Sequence, residues 1–180
     1  MNHNDNPAGR LFLILQKSKK IDDQVKMKNA WSEIFDVESE NSAKILRKLG
    51  EINQLPSEIR EKIHSLDNVN HKLALKQMYK VEAALSKINF NSTWKNFKNS
   101  IDEATMLSIE YCSDILSRNF NNKVLDENEL KSLKTRAQEF KNDLSNYEID
   151  LELKKYIYEK VGEIERAIFD YELTGSVTIK

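Results

Sequence analysis

Glycine and proline are nearly missing from this chain: 4 Gly and 2 Pro stand among 180 residues. A sandwich or barrel of short strands needs a tight turn roughly every 8–12 residues, and those turns draw on Gly and Pro. Helices need few of either. Hydrophobic residues make up 39% and charged residues 32%, a balance that suits helices with one apolar stripe and three wet faces. The expectation is a single all-α domain over residues 1–175, a compact bundle of six to eight helices, with the last three long and roughly antiparallel. Residues 176–180, SVTIK, read as a short C-terminal tail.

Local signals place the helices. Asn6 is a good N-cap and Pro7 fits the first helical position, where its missing N–H costs nothing. Leu11, Ile14 and Leu15 share a face, and Lys17, Lys19 and Lys20 suit the negative end of the helix dipole. Met27, Ala30, Trp31 and Ile34 follow the i, i+3, i+4, i+7 pattern of a core face. A third helix presents Ile45, Leu46 and Leu49, fades over Gly50–Gln54, and restarts at Leu55-Pro56 with Ile59, Ile63 and Leu66. A fourth runs from His71 to Ile88, with Leu75, Met78, Leu85 and Ile88 inward.

Ser100 with Glu103, and Asp126 with Glu129, match the capping-box spacing, in which each side chain satisfies the other residue's backbone N–H. The second pair precedes a seam of Leu130, Leu133, Ala137, Phe140 and Leu144. The final helix carries Leu153, Ile157, Val161, Ile164, Ile168 and Tyr171 inside, with Gly175 as its C′ residue.

Net charge is −1, but residues 1–100 hold 17 Lys+Arg against 12 Asp+Glu, and residues 101–180 hold 11 against 17. A split of +5 and −6 lets the halves attract one another, or lets the basic half meet an acidic partner. The near-neutral total argues against non-specific nucleic-acid binding by the whole surface. Cys112 is the single cysteine, which excludes an internal disulfide and a Cys-based zinc site. The opening MNHNDNPAGR has no basic run, and LFLIL is too short for a signal core or a membrane span. The expected setting is a reducing cytoplasm without membrane attachment. Abundant Asn, Lys and Ile fit an AT-rich bacterial or phage genome.

The acids of SIDEATMLSIEYCSDIL are the first candidates for chemistry. At about 100° per residue, Ile101, Ala104, Ser108, Tyr111, Cys112 and Ile115 cover one face, widened by Leu107, Ile109 and Leu116. Glu103, Glu110 and Asp114 share the strip left over and read as a solvated edge. Carboxylate metal sites in bundles add a Glu-x-x-His pair, and no such pair occurs here. His3, His64 and His71 have no ligand spacing, and Asp67-Asn68 reads as a turn between the last two. Cys112 lies among apolar neighbours and reads as a small core residue. Isolated glycines form no phosphate loop. No catalytic residue, metal or cofactor is assigned.

The densest interaction signal lies in residues 71–98. Lys72, Lys76 and Lys80 repeat at four-residue spacing, and Lys87, Lys95 and Lys98 follow among Tyr79, Phe90, Trp94 and Phe97. The same residues also read as a solvated lysine row with Trp94 and Phe97 plugging the bundle, since Trp94, Phe97, Ile101 and Ala104 continue a core face. Tyr147, Tyr156, Tyr158 and Tyr171 add aromatic area to the last two helices, as tyrosine does at interfaces. Lys72, Lys76, Lys80, Trp94, Tyr156 and Tyr158 are therefore the candidate partner-binding residues. The reading that follows is a non-enzymatic interaction module: an adaptor, regulator or accessory subunit of a bacterial or phage assembly, in phage–host conflict for example. It would bind a protein partner, with self-association as a further use. One rival is a nucleic-acid-binding regulator using residues 72–98. The other is a helical enzyme with a carboxylate-based site on 101–117, drawing on Glu103, Glu110, Asp114, Tyr111 and His71.

Overall fold

The computed structural model describes residues 6–120, 125, 127–147 and 149–174. Those residues are all-α: eight helices and one single-turn segment, with no strand among them. In chain order they are α1 (Pro7–Lys20), α2 (Met27–Phe35), α3 (Ser42–His64), the single turn α4 (His71–Ala74), α5 (Met78–Ser86), α6 (Lys95–Ser100), α7 (Glu103–Asn119), α8 (Glu127–Asn146) and α9 (Leu151–Thr174). Two compact units result, Met1–Asn122 and Lys123–Lys180. The boundary falls in FNNKVLDE, which contains neither Gly nor Pro, so composition does not mark it. The expected cap at Asp126, the C′ residue Gly175 and the tail 176–180 lie outside the described residues, as does His3.

In the first unit α1 is the hub, packed against α2, α3 and α7. Asn6 caps it as the sequence predicts, its Oδ1 accepting from Gly9 N at 2.9 Å. The same amide reaches α7: Nδ2 donates to Ser113 O at 3.2 Å and to Ser117 Oγ at 2.9 Å. Leu11 and Leu15 are fully buried, each stabilising the fold by about 1.5–3 kcal/mol. Even Arg10 and Ser18 are buried. Arg10 faces Glu58 at 3.6 Å, and the Ser18 hydroxyl donates to Leu15 O. Burial raises the Glu58 carboxyl above its ordinary value, against the pull of Arg10.

An aromatic cluster seals one side. Trp31 packs on Phe35, Trp94 and Phe97 with ring centroids 5.1–5.3 Å apart, and Trp94 stacks on Phe97 at 4.7 Å. An isolated bridge between Lys26 and Thr93 brings these segments together, with Met27 N donating to Ser92 O and Trp94 N to Val25 O. The Trp94 indole donates to Ser18 O at 2.9 Å. The Trp31 indole N–H is buried with no hydrogen-bond partner among the described residues, a cost of about 1–3 kcal/mol that ring packing offsets.

Two expected helix boundaries differ. The third helix does not fade over 50–54; α3 is continuous through Pro56. A proline inside a helix costs about 3 kcal/mol, but Ile52, Leu55, Pro56, Ile59 and Ile63 are all buried on one face, and their packing outweighs it. Leu46, expected inside, is exposed, and Leu66 is half-buried. Conversely, the single helix expected over 71–88 breaks at Leu75–Gln77 into α4 and α5. Leu75, Met78 and Leu85 are buried as expected, and Ile88 is half-buried.

The cap of α7 is Asp102, not Ser100. Asp102 Oδ1 accepts from Thr105 N at 2.8 Å and from Thr105 Oγ1 at 2.6 Å, while Lys80 pairs with Oδ2 at 2.6 Å. Ser100 turns back to Asn96 O. The inward face is Thr105, Ile109, Cys112, Ser113, Ile115 and Leu116. Ala104, Leu107 and Tyr111, expected in the core, are exposed. The neighbours of α7 cover less than its whole apolar arc, and packing on α1 through Ser113 selects which side is buried.

In the second unit α8 and α9 run antiparallel. Lys141 pairs with Glu165, Tyr158 Oη donates to Lys141 O at 3.2 Å, and Lys154 Nζ donates to Ser145 O at 3.1 Å. Asp150 caps α9 through Leu153 N. Ala137, Leu144, Val161, Ala167 and Tyr171 are buried, whereas Phe140, Leu153 and Ile164 are exposed. One helix pair closes on one seam, so the rest of each predicted stripe stays wet.

Two outcomes test this fold. Gly50 is exposed inside α3, and an added Cβ there meets nothing within 4 Å. Gly50→Ala should stabilise the protein by about 0.5–1 kcal/mol in a urea melt. Hydrogen bonds from Lys80, then Thr105, hold the Asp102 carboxyl well below the usual carboxylate range. A depressed pKa adds stability above the unfolded value of about 3.9 and loses it as pH falls toward the folded one. The melting-temperature gap between wild type and Asp102→Asn should therefore be full at pH 6 and shrink as pH falls below 4.

Candidate partner-binding groove

The break between α4 and α5 has an identifiable cause. In a continuous helix, Ala74 O would accept the Met78 N–H. Here Met78 N donates to Leu75 O at 3.1 Å. Ala74 O instead accepts from two α7 side chains, Ser108 Oγ at 3.0 Å and Cys112 Sγ at 3.2 Å. Burial pushes the Cys112 thiol up to about 12, so it stays protonated and can donate. This bond gives the cysteine its place: a buried structural donor.

Diverting the chain at Ala74 opens a groove of about 410 Å³ between α4 and α7. Ala104, Leu107, Ser108 and Tyr111 form one wall at offsets 0, 3, 4 and 7, a single helix face. Leu73 forms the other, followed by Lys76 and Gln77. Leu73, Leu107 and Tyr111 are 56%, 60% and 44% exposed. The Gln77 side-chain oxygen is buried without a hydrogen-bond partner among the described residues. Apolar walls with the Lys76 ammonium beside them make a concave surface of the kind that partners contact.

Lys76 also lines a second cleft of about 550 Å³, together with Arg60, His64, His71, Lys72 and Leu75. The two imidazoles meet edge to face at 5.2 Å. His71 Nε2 lies 2.7 Å from Leu66 O; a carbonyl only accepts, so that nitrogen carries the proton. Arg60 makes two 2.9 Å bonds to Glu82. Lys72 and Lys76 are exposed, and neither forms an ion pair among the described residues. Sequence spacing offered no reason to join the histidines; the turn after α3 does it.

The candidate residues named from sequence scatter. Lys72 and Lys76 meet in this cleft, but the helix break interrupts the row, and Lys80 is held by Asp102. Trp94 is fully buried with its indole N–H occupied, which removes it from any surface. Phe97 is buried, and Lys98 pairs with Asp23 at 2.9 Å. Tyr156 is exposed beside Lys160, and Tyr158 is half-buried with its hydroxyl bound to Lys141 O. Both belong to the other unit.

The acids of α7 do not gather. Glu103 is exposed, Glu110 is half-buried, and Asp114 pairs with Arg118 at 2.7 Å. Among the described residues no group of three His, Cys, Asp or Glu could hold a metal ion, and no helix is long and apolar enough to cross a membrane. Sequence reasoning missed Leu73, Gln77 and Leu107 as groove residues. An apolar arc too wide for α7 to bury was the one signal that could have found them.

Cys112 gives the test of this local structure. Native protein should resist iodoacetamide while urea-unfolded protein labels at Cys112 within minutes, read by mass spectrometry. Fast native labelling would mean that the Ala74 junction opens. No family model, curated protein or solved structure matches this chain.

Proposed function

We propose that this protein is a non-enzymatic interaction module that holds a protein partner in the groove between α4 and α7. The observation that carries the reading is the exposure of Leu73, Leu107 and Tyr111 together on facing walls. Scattered exposed apolar residues are ordinary, but a concave cluster beside polar groups marks a contact surface. In this reading the protein is an adaptor, regulator or accessory subunit of a bacterial or phage assembly, working in the cytoplasm. The nucleic-acid alternative over residues 72–98 relied on aromatic stacking beside lysines. Burial of Trp94 and Phe97 and the pairing of Lys80 and Lys98 leave it less support.

Leu107→Asp tests the reading without touching the core. Its thermal stability should stay within about 0.5 kcal/mol of wild type. Affinity capture from the source cells, read by mass spectrometry, should lose the wild-type partner at least about tenfold, the equivalent of 1.4 kcal/mol. Phe140→Asp, on α8, should retain that partner. Equal capture by wild type and Leu107→Asp would refute the groove as the binding surface.

A further inference from the structure

We propose that the occupant of the groove is an amphipathic helix of opposite flanks, with carboxylates along one side of its apolar face and cations along the other. This rests on the reading of the groove as a partner site and names the chemistry of the partner. The argument for a helix is geometric. The wall from Ala104 to Tyr111 runs seven residues, about 10 Å at 1.5 Å per residue, which accepts two turns bearing apolar side chains at i, i+3 or i+4, and i+7. An extended peptide would need a sheet edge to pair its backbone, whereas the groove is walled by α7, α4 and the turn after α4, with no strand beside it among the described residues. A helix brings its backbone already satisfied.

Charge assigns the flanks. Lys76 rims the α4 side, and the adjoining cleft that it also lines adds Lys72, His64 and His71 to the positive field there. Arg60 adds little to that field because Glu82 occupies it. The opposite rim is acidic. Glu103 and Glu110 are the i−4 and i+3 neighbours of Leu107, on the same side of α7. Neither forms an ion pair among the described residues, while Asp114 further along is held by Arg118. A uniformly acidic helix would gain at Lys72 and Lys76 but meet repulsion at Glu103 and Glu110. A uniformly basic one would meet the reverse. Only a helix with both signs, one on each flank, complements both rims.

The test uses the full chain and three fluorescent synthetic peptides of about five turns, sharing one leucine face. The first carries Glu on one flank and Lys on the other, the second Lys on both, the third Glu on both. Anisotropy titration at low salt should show the first binding at least about tenfold tighter than either other, with the gap narrowing in 0.5 M salt. The Lys72→Glu/Lys76→Glu protein should shift its preference to the all-Lys peptide, and Leu107→Asp should bind none of them. Equal affinities, or no binding by any peptide, would overturn the two-signed helix. The groove reading would then stand or fall on partner capture by wild type against Leu107→Asp. Two other results would overturn the proposal: a light-scattering dimer that Leu107→Asp reduces to monomer, giving the groove to a second copy, and displacement of the first peptide by a single-stranded oligonucleotide.

Discussion

Burial of α1 on nearly every side is the constraint that organises the first unit. A helix so enclosed leaves few polar groups to water, and several of them are met by residues distant in sequence. Asn6 reaches Ser113 and Ser117, and Ser18 O receives the Trp94 indole. Lys19, held below its ordinary value first by burial and then by Lys98, turns its ammonium to Lys98 O and Ile101 O. Lys98 in turn donates to Ile21 O. These bonds fix where α6 begins and which side of α7 faces inward. The exposed side of α7 is thus set by what α1 requires of the buried side.

The groove is the next consequence. Once α7 presents Ser108 and Cys112 to the α4 segment, two donors compete with Met78 N–H for the Ala74 carbonyl, and the side chains win it. Burial favours this exchange, because an unpaired thiol and hydroxyl against α4 would otherwise go unsatisfied. The helix breaks, Leu73 stays outside while Leu75 turns in, and the lysines at 72 and 76 are separated from Lys80. Groove and local backbone defect share one origin.

Features written in adjacent residues were legible from sequence. Asn6-Pro7 starts α1 as read, and Met27, Ala30, Trp31 and Ile34 are all buried, because a cap and a periodic stripe are local physics. The break at Leu75 was not legible, since its cause lies 34 and 38 residues downstream. Pro56 misled for the opposite reason: the four buried residues around it on the α3 face, Ile52, Leu55, Ile59 and Ile63, override a local helix breaker. Trp94 was open to two readings, a surface aromatic among lysines or a plug in the bundle, and contact with Trp31 and Ser18 makes it core. The orientation of α7 was ambiguous in principle, with apolar residues around more than half of it. Choosing between its faces needed the position of α1.

The clamp from Asn6 to Ser113 spans 107 residues of chain. Helical proteins usually fold fast because their contacts are close in sequence, but the most buried helix here finds its main packing surface only when α7 arrives. A ribosome must therefore emit most of the first unit before its opening helix can be enclosed. Until then Leu11, Phe12, Ile14 and Leu15 travel uncovered, the kind of transient exposure that engages chaperones. Docking of α1 on α7 therefore waits for a segment made long after α1 itself.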